Sequence, residues 1–272
     1  MLRTRVIVAA ILLPIGLALI YLGGWAFTGF VTIIVGLAAW EYGQIFRGSE
    51  LQPSLVIAVA GAAAFALGRA WNGFESAPIL ISVILIASMI YHMVAYERGR
   101  DQAGTDFAVT LSAALYIGWL GAYLISIREL PEGVWWLLLV LPIVWLADSG
   151  AYFIGRAFGK RKLSPRLSPK KTWEGYLGGV VVGTLGAVGL AYLLAIWAGP
   201  EFSVTSLQAA LLGLLLSTIT TLGDLGESMI KRQSGVKDSS KLIPGHGGVF
   251  DRIDSWLWAA LIGYYFITWV II

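Results

Sequence analysis

SMIKRQSGVKDSSKLIPGHGGVFDRID, residues 228–254, is a polar segment of 27 residues set between two long apolar runs. It carries Lys231, Arg232, Lys237, Asp238, Lys241, His246, Asp251, Arg252 and Asp254, in a chain of 272 residues that is only 13% charged. Charge gathers where apolar sequence stops, and that alternation decides the fold. With 58% hydrophobic residues, 12 Trp and a mean hydropathy of +0.78, the chain is too apolar for a domain whose surface faces water. Its length is room for about nine helical spans, since each needs ~20 apolar residues to cross ~30 Å of hydrocarbon. The expected class is therefore all-α, a polytopic integral membrane protein.

Working outward from the polar segment, apolar runs fall at 6–22, 25–40, 54–71, 77–96, 107–127, 134–154, 176–198, 205–225 and 255–272. Arg3 and Arg5 ahead of the first run imitate a secretory signal. No small-residue cleavage site follows, however, and Gly23-Gly24 leads straight into the next run, so a retained first helix is expected. With the N-terminus inside, 17 of the 19 basic residues fall in inner segments, leaving only Arg69 and Arg128 outside. Basic residues are retained on the cytoplasmic side, so the count supports nine spans with the N-terminus in and the C-terminus out. The reading divides the chain into N-terminal helices over 1–127, about five spans, and C-terminal helices over 128–272 that carry a cytoplasm-facing site. Absence of Cys excludes disulfides, thiolate metal sites and a cysteine nucleophile.

Polar residues within the apolar runs are the next signal. In the first half, Glu41 reads as an interfacial anchor and His92 as a buried, hydrogen-bonded helix histidine. Asp148, in WLADSGAYFIG, would cost roughly 3 kcal/mol in hydrocarbon and should line a polar cavity or face a partner. The loop at 155–175, GRAFGKRKLSPRLSPKKTWEG, holds seven Lys and Arg residues. A basic anchor against anionic headgroups explains the count. Its SPKKTWEG end is more ordered than an anchor requires, because Thr172 is placed to cap a helix. Lys170, Lys171 and Thr172 are read as phosphate contacts. In STITTLGDLGESMIKR, Asp224, Glu227, Ser228 and Lys231 fall three and four apart and share a helix face. Gly223 and Gly226 leave little side-chain bulk beside Asp224. Asp251 and Asp254 sit three apart at the start of the last run, after Pro244-Gly245-His246-Gly247-Gly248, a stretch suited to presenting backbone N–H groups to an anion. Paired acids that hold a divalent metal, beside many cations, suit phosphoryl or nucleotidyl transfer.

At this point the residues resemble a known pattern. Ser228, Ile230, Lys231-Arg232, Lys237-Asp238, Ser240, Ile243-Pro244, His246-Gly247-Gly248 and Asp251-Arg252-Ile253-Asp254 resemble the signature of phosphatidate cytidylyltransferases, the CDP-diacylglycerol synthases. SPKKTWEG and GDLGES resemble that family's other recurring stretches. The resemblance implies Mg(2+)-dependent transfer of CMP from CTP to phosphatidate by an all-helical enzyme of the cell's inner membrane. It also implies a homodimer surrounded by membrane lipids, with no nucleic-acid partner. Carried over by position, Asp224 and Asp251 would be the metal ligands, with a second cation of unknown identity allowed. Asp254 would be a third ligand or a partner of Arg252. Lys231, Arg232, Lys237 and Lys241 would bind phosphates, with Lys170, Lys171 and Arg252 contributing. His246 would donate to a phosphate or hold the loop, and Ser228, Gly247 and Gly248 would line the substrate. Two rivals differ in kind: a CTP-using enzyme for another lipid, such as a polyprenol kinase, and a transporter with Asp148 and Asp224 as coupling carboxylates.

Overall fold

The computed structural model describes residues 2–272, with side chains from Val6 onward, so the Arg3 and Arg5 side chains lie outside the described residues. Each apolar run becomes helix. They are α1 (Leu2–Leu22), α2 (Gly24–Arg47), α3 (Leu55–Asn72), α4 (Ala77–Glu97), α5 (Ala103–Ser112), α6 (Tyr123–Glu129), α7 (Gly133–Phe158), α8 (Trp173–Ala198), α9 (Ser206–Gln233) and α10 (Phe250–Phe266). A π-helical turn at Ala113–Trp119 joins α5 to α6 into one apolar stretch, Ala103–Glu129, and a second such turn, Ile267–Ile271, extends α10. Among the described residues, seven helices are long and apolar enough to cross a membrane; the Val6–Leu22 part of α1 is apolar but shorter.

One departure from an all-helical reading lies in the basic loop after α7. Lys162–Ser164 (β1) pairs antiparallel with Ser168–Thr172 (β2), a short hairpin that ends directly on the first residue of α8. Backbone groups leaving the membrane-length helices thereby find partners in each other rather than in water.

The chain forms two compact units. The first contains residues 1–126 and 230–253, so the polar signature segment groups with the N-terminal helices; the second contains 127–229 and 254–272. In the first unit, small residues bring backbones close. Val35, Ala38 and Ala39 of α2, Ala58 and Ala62 of α3, and Ala113, Ala114 and Ile117 of the π turn are all fully buried. A Cβ at Gly61 would lie 2.9 Å from the Ala114 Cβ. Between hydrocarbon-solvated helices there is little hydrophobic gain from association, so close van der Waals packing of small residues supplies it. By contrast α4 leaves Ile79, Val83, Ile86, Ile90 and Met93 exposed, as a helix solvated by lipid does.

The polar groups buried in this unit are paired. His92, 3% exposed, makes a 2.8 Å bond from Nδ1 to the Ser88 carbonyl and reaches the Thr110 hydroxyl, as its sequence position led one to expect. Asp106 accepts from the Gln52 amide and from Arg100, both at 2.7 Å. Arg69, counted above on the outer side, is buried: it donates to the Ser126 hydroxyl and lies 3.6 Å from the Phe74 ring centroid.

In the second unit, α8 buries Gly175, Gly179, Gly183, Ala187 and Ala191, one small residue at every fourth position. That row is a ridge with almost no side chain, and α7 lies against it. A Cβ at Gly179 would stand 2.6 Å from the Ala147 carbonyl oxygen, and one at Gly175 2.7 Å from that of Ala151. The other end of the row meets α9, where Gly183 faces Ser217 and Gly213 faces Ala187.

Candidate functional site

In the second unit the site starts from the hairpin. Thr172 ends β2 in an extended conformation, and its hydroxyl accepts from the Gly175 amide at 3.2 Å, so it caps α8 as its sequence position suggested. Two residues on, the Glu174 carboxylate accepts from the Lys160 and Arg161 amides and ties the start of α8 to the loop leaving α7. The adjoining Lys171 extends its ammonium to Asp224 Oδ2 of α9 at 2.5 Å. Asp224 is held in place because Gly223 beside it has no side chain. A Cβ there would meet the Asp254 carbonyl oxygen at 2.8 Å and the Trp258 ring at 2.7 Å, so α9 crosses α10 at this point. Gly226, read above as similar clearance, faces open space. The Ser228 hydroxyl stands 3.4 Å from Asp224 Oδ1. Both members of the Lys171–Asp224 pair remain about a third exposed, at 27% and 31%.

In the first unit a different carboxylate is at the centre. Asp251, in the first turn of α10, is only 5% exposed and takes Lys231 Nζ on Oδ1 at 2.6 Å. Its Oδ2 accepts from the Ser239 amide at 2.9 Å, the Ser239 hydroxyl at 2.9 Å and the Gly248 amide at 2.8 Å. Gly247 has φ +86°, a conformation that disfavours any side chain, and a Cβ there would lie 2.5 Å from Asp251 Oδ2. Ile243 and Gly247 pair as a single bridge, which tightens the turn through Pro244-Gly245-His246.

The residue that sequence reading missed is Glu41. It is not an interfacial anchor: it is 0% exposed near the end of α2 and accepts four hydrogen bonds from the signature segment. Oε1 takes the Ser240 hydroxyl at 2.5 Å and the Val249 amide at 3.0 Å, while Oε2 takes the Ser239 hydroxyl at 3.0 Å and the Phe250 amide at 2.7 Å. Of the stretch expected to face an anion, the Gly248 amide bonds a carboxylate of the protein itself, as do the Val249 and Phe250 amides that follow. Glu41 takes the Val249 and Phe250 amides and Asp251 takes that of Gly248, because a helix N-terminus has unpaired donors that a nearby carboxylate satisfies. A lone Glu in WEYG gives no local sign of partners nearly two hundred positions away.

The remaining predicted residues scatter. Lys170, Arg232, Lys237, Lys241 and Arg252 are exposed cations. Asp254 is buried and its Oδ1 accepts from the Ser255 amide at 2.7 Å. His246 is half-buried, with an Nδ1 that has no hydrogen-bond partner among the described residues. Asp148 is exposed on α7, on a side away from the buried Ala147 and Gly150.

No cluster of three or more His, Cys, Asp or Glu suited to a metal ion occurs among the described residues. Individual donors do suit a hard cation such as magnesium, which prefers oxygen. Asp224 offers a partly exposed carboxylate with a hydroxyl close by, and it already draws one cation, the Lys171 ammonium. Asp251 has Oδ2 occupied by three donors, so Oδ1, now on Lys231, is the oxygen suited to a metal.

Comparison with known proteins places these residues in context. The profile of the cytidylyltransferase family matches residues 3–270. A phosphatidate cytidylyltransferase of Pseudomonas aeruginosa is 39% identical over 266 residues, covering 94% of this chain and 93% of the relative. That of Synechocystis is 32% identical over 295 residues, covering 97% and 96%, and that of Brucella suis is 34% identical over 268 residues, covering 97% and 93%.

Proposed function

The chain belongs to the cytidylyltransferase family, and on that premise we propose that it transfers CMP from CTP to phosphatidate, yielding CDP-diacylglycerol and pyrophosphate for phospholipid biosynthesis. The observation that carries this reading is likeness over nearly the whole chain to relatives named for that activity, rather than a match confined to a motif. An oxygen of the phosphatidate monoester attacks the α-phosphorus of CTP in line, forming a P–O bond as the bond to pyrophosphate breaks. The monoester is already ionised, so no strong general base is required. Exposed Lys237, Lys241, Arg232 and Arg252 supply cations for the phosphates, and Lys171 and Lys231 stand ready to exchange a carboxylate for a phosphate oxygen. The chemistry that Mg(2+) would supply when bound is positive charge to offset the negative charge that develops on pyrophosphate. Asp224 and Asp251, each within its own unit, are the carboxylates we propose as metal-binding, on the strength of their oxygen chemistry and the cations they already attract.

The reading extends to location and assembly: an inner-membrane protein with its N-terminus and polar segments on the cytoplasmic side, working as a homodimer. The distribution of Lys and Arg supports the orientation, and the dimer rests on the family resemblance. Pyrophosphate release by the purified protein in detergent tests the activity. It should require CTP, phosphatidate and Mg(2+) together, and turnover with a polyprenol in place of phosphatidate would move the assignment to another CTP-using lipid enzyme.

A further inference from the structure

We infer that Glu41 is a positioning residue of this site: a buried carboxylate on α2 that fixes the signature loop and, through Ser239, sets the orientation of Asp251. The inference rests on the proposed transfer reaction for its consequence, but the geometry stands by itself. Each Glu41 oxygen takes one backbone amide and one hydroxyl, so the carboxylate is used on both sides at once. The two amides are those that open α10, and the two hydroxyls belong to adjacent residues on the far side of the loop. One group thus clamps both ends of the segment 239–250.

The Ser239 hydroxyl is the link onward. It lies 3.0 Å from Glu41 Oε2 and 2.9 Å from Asp251 Oδ2, and with a single proton it is shared between the two acids. Gly248 makes the approach possible, because a Cβ there would lie 2.5 Å from both Glu41 oxygens. A fixed loop matters because Lys231, Lys237 and Lys241 must present charge to phosphates, and Asp251 its carboxylate to a metal, in one geometry, and misplacement by ~1 Å can cost ~100-fold in rate.

Glutamine is nearly the same size as glutamate but accepts on one side only, so Glu41→Gln turns an N–H₂ toward both an amide and a hydroxyl that had an acceptor there. Two measurements on the full-length protein in detergent decide the matter. In the first, hydrogen exchange of the Glu41→Gln variant should rise at least ~10-fold at the amides of 239–250 while α7 and α8 exchange as in wild type. In the second, kcat for pyrophosphate release should fall ~10- to 100-fold with a smaller change in KM for CTP, and Glu41→Asp, which keeps two acceptors, should recover part of it. Exchange that rises evenly across the chain would make Glu41 a general strut and overturn the inference, as would unchanged exchange in the loop. An unaltered kcat in Glu41→Gln would overturn the link to Asp251. Wild-type protein that releases no pyrophosphate would sink the proposed reaction, whereas the exchange pattern would still report on the clamp.

Discussion

Asp224 and Asp251 have the same side chain and the same expected role, yet the two units treat them in opposite ways. Asp251 is withdrawn from solvent and receives three donors and an ammonium, whereas Asp224 is about a third exposed, with one lysine and one distant hydroxyl. The difference teaches that a carboxylate in a motif can belong to the frame as well as to the chemistry. A buried charge holds its loop because the loop is what solvates it. An exposed one is free to exchange partners, since water and salt compete with its lysine.

Asp251→Asn should give the largest effect, because it removes the charge that Lys231 and three donors share. Breaking a buried pair costs ~3–5 kcal/mol, so the melting temperature should drop and pyrophosphate release should fall ~1,000-fold, at the upper end of what one well-placed electrostatic group contributes. An Asp251→Asn variant as stable as wild type would remove Asp251 from the frame. Next comes Asp224→Asn, for which release should fall ~100-fold with the melting curve unmoved; a large loss of stability here would erase the contrast. Smallest is Lys171→Met. Ion pairs of this exposure contribute under ~1 kcal/mol, so stability should hardly change, and the little that is lost should vanish at high salt. If Lys171 also binds a phosphate, KM for CTP should rise in that variant while thermal denaturation stays as in wild type.

Much of this architecture is legible in sequence because a membrane imposes one rule on every span. Nine apolar runs between polar segments give nine helical stretches, although α2 and α9 run on past the expected 40 and 225 to Arg47 and Gln233. The Thr172 cap and the His92 bond to the Ser88 carbonyl are local, reaching three or four positions along one helix, so residue types reveal them. Pairings between distant segments are not written that way. The β1–β2 hairpin involves strands of three and five residues within a loop that composition marks only as basic. The four-residue spacing of small residues in α8 is visible in the sequence, but which helix fills the row is not. Glu41 is the clearest case: its place at the inner end of the second run suggests an interface, while its partners come from the other end of the chain. Of the site, the signature residues are legible as a set. Their division between a saturated, buried group around Asp251 and an open pair at Asp224 appears only in three dimensions.

The Glu41 clamp also has a meaning in time. Ser239 is made 198 positions after Glu41, an interval of roughly 10–40 s at ~5–20 residues per second of synthesis. Until then the eventual donors of Glu41 do not exist, so the acid keeps its water until the loop arrives to replace it. Closing the clamp is then a dehydration, and a chain cut short before residue 239 would lack the donors that replace that water.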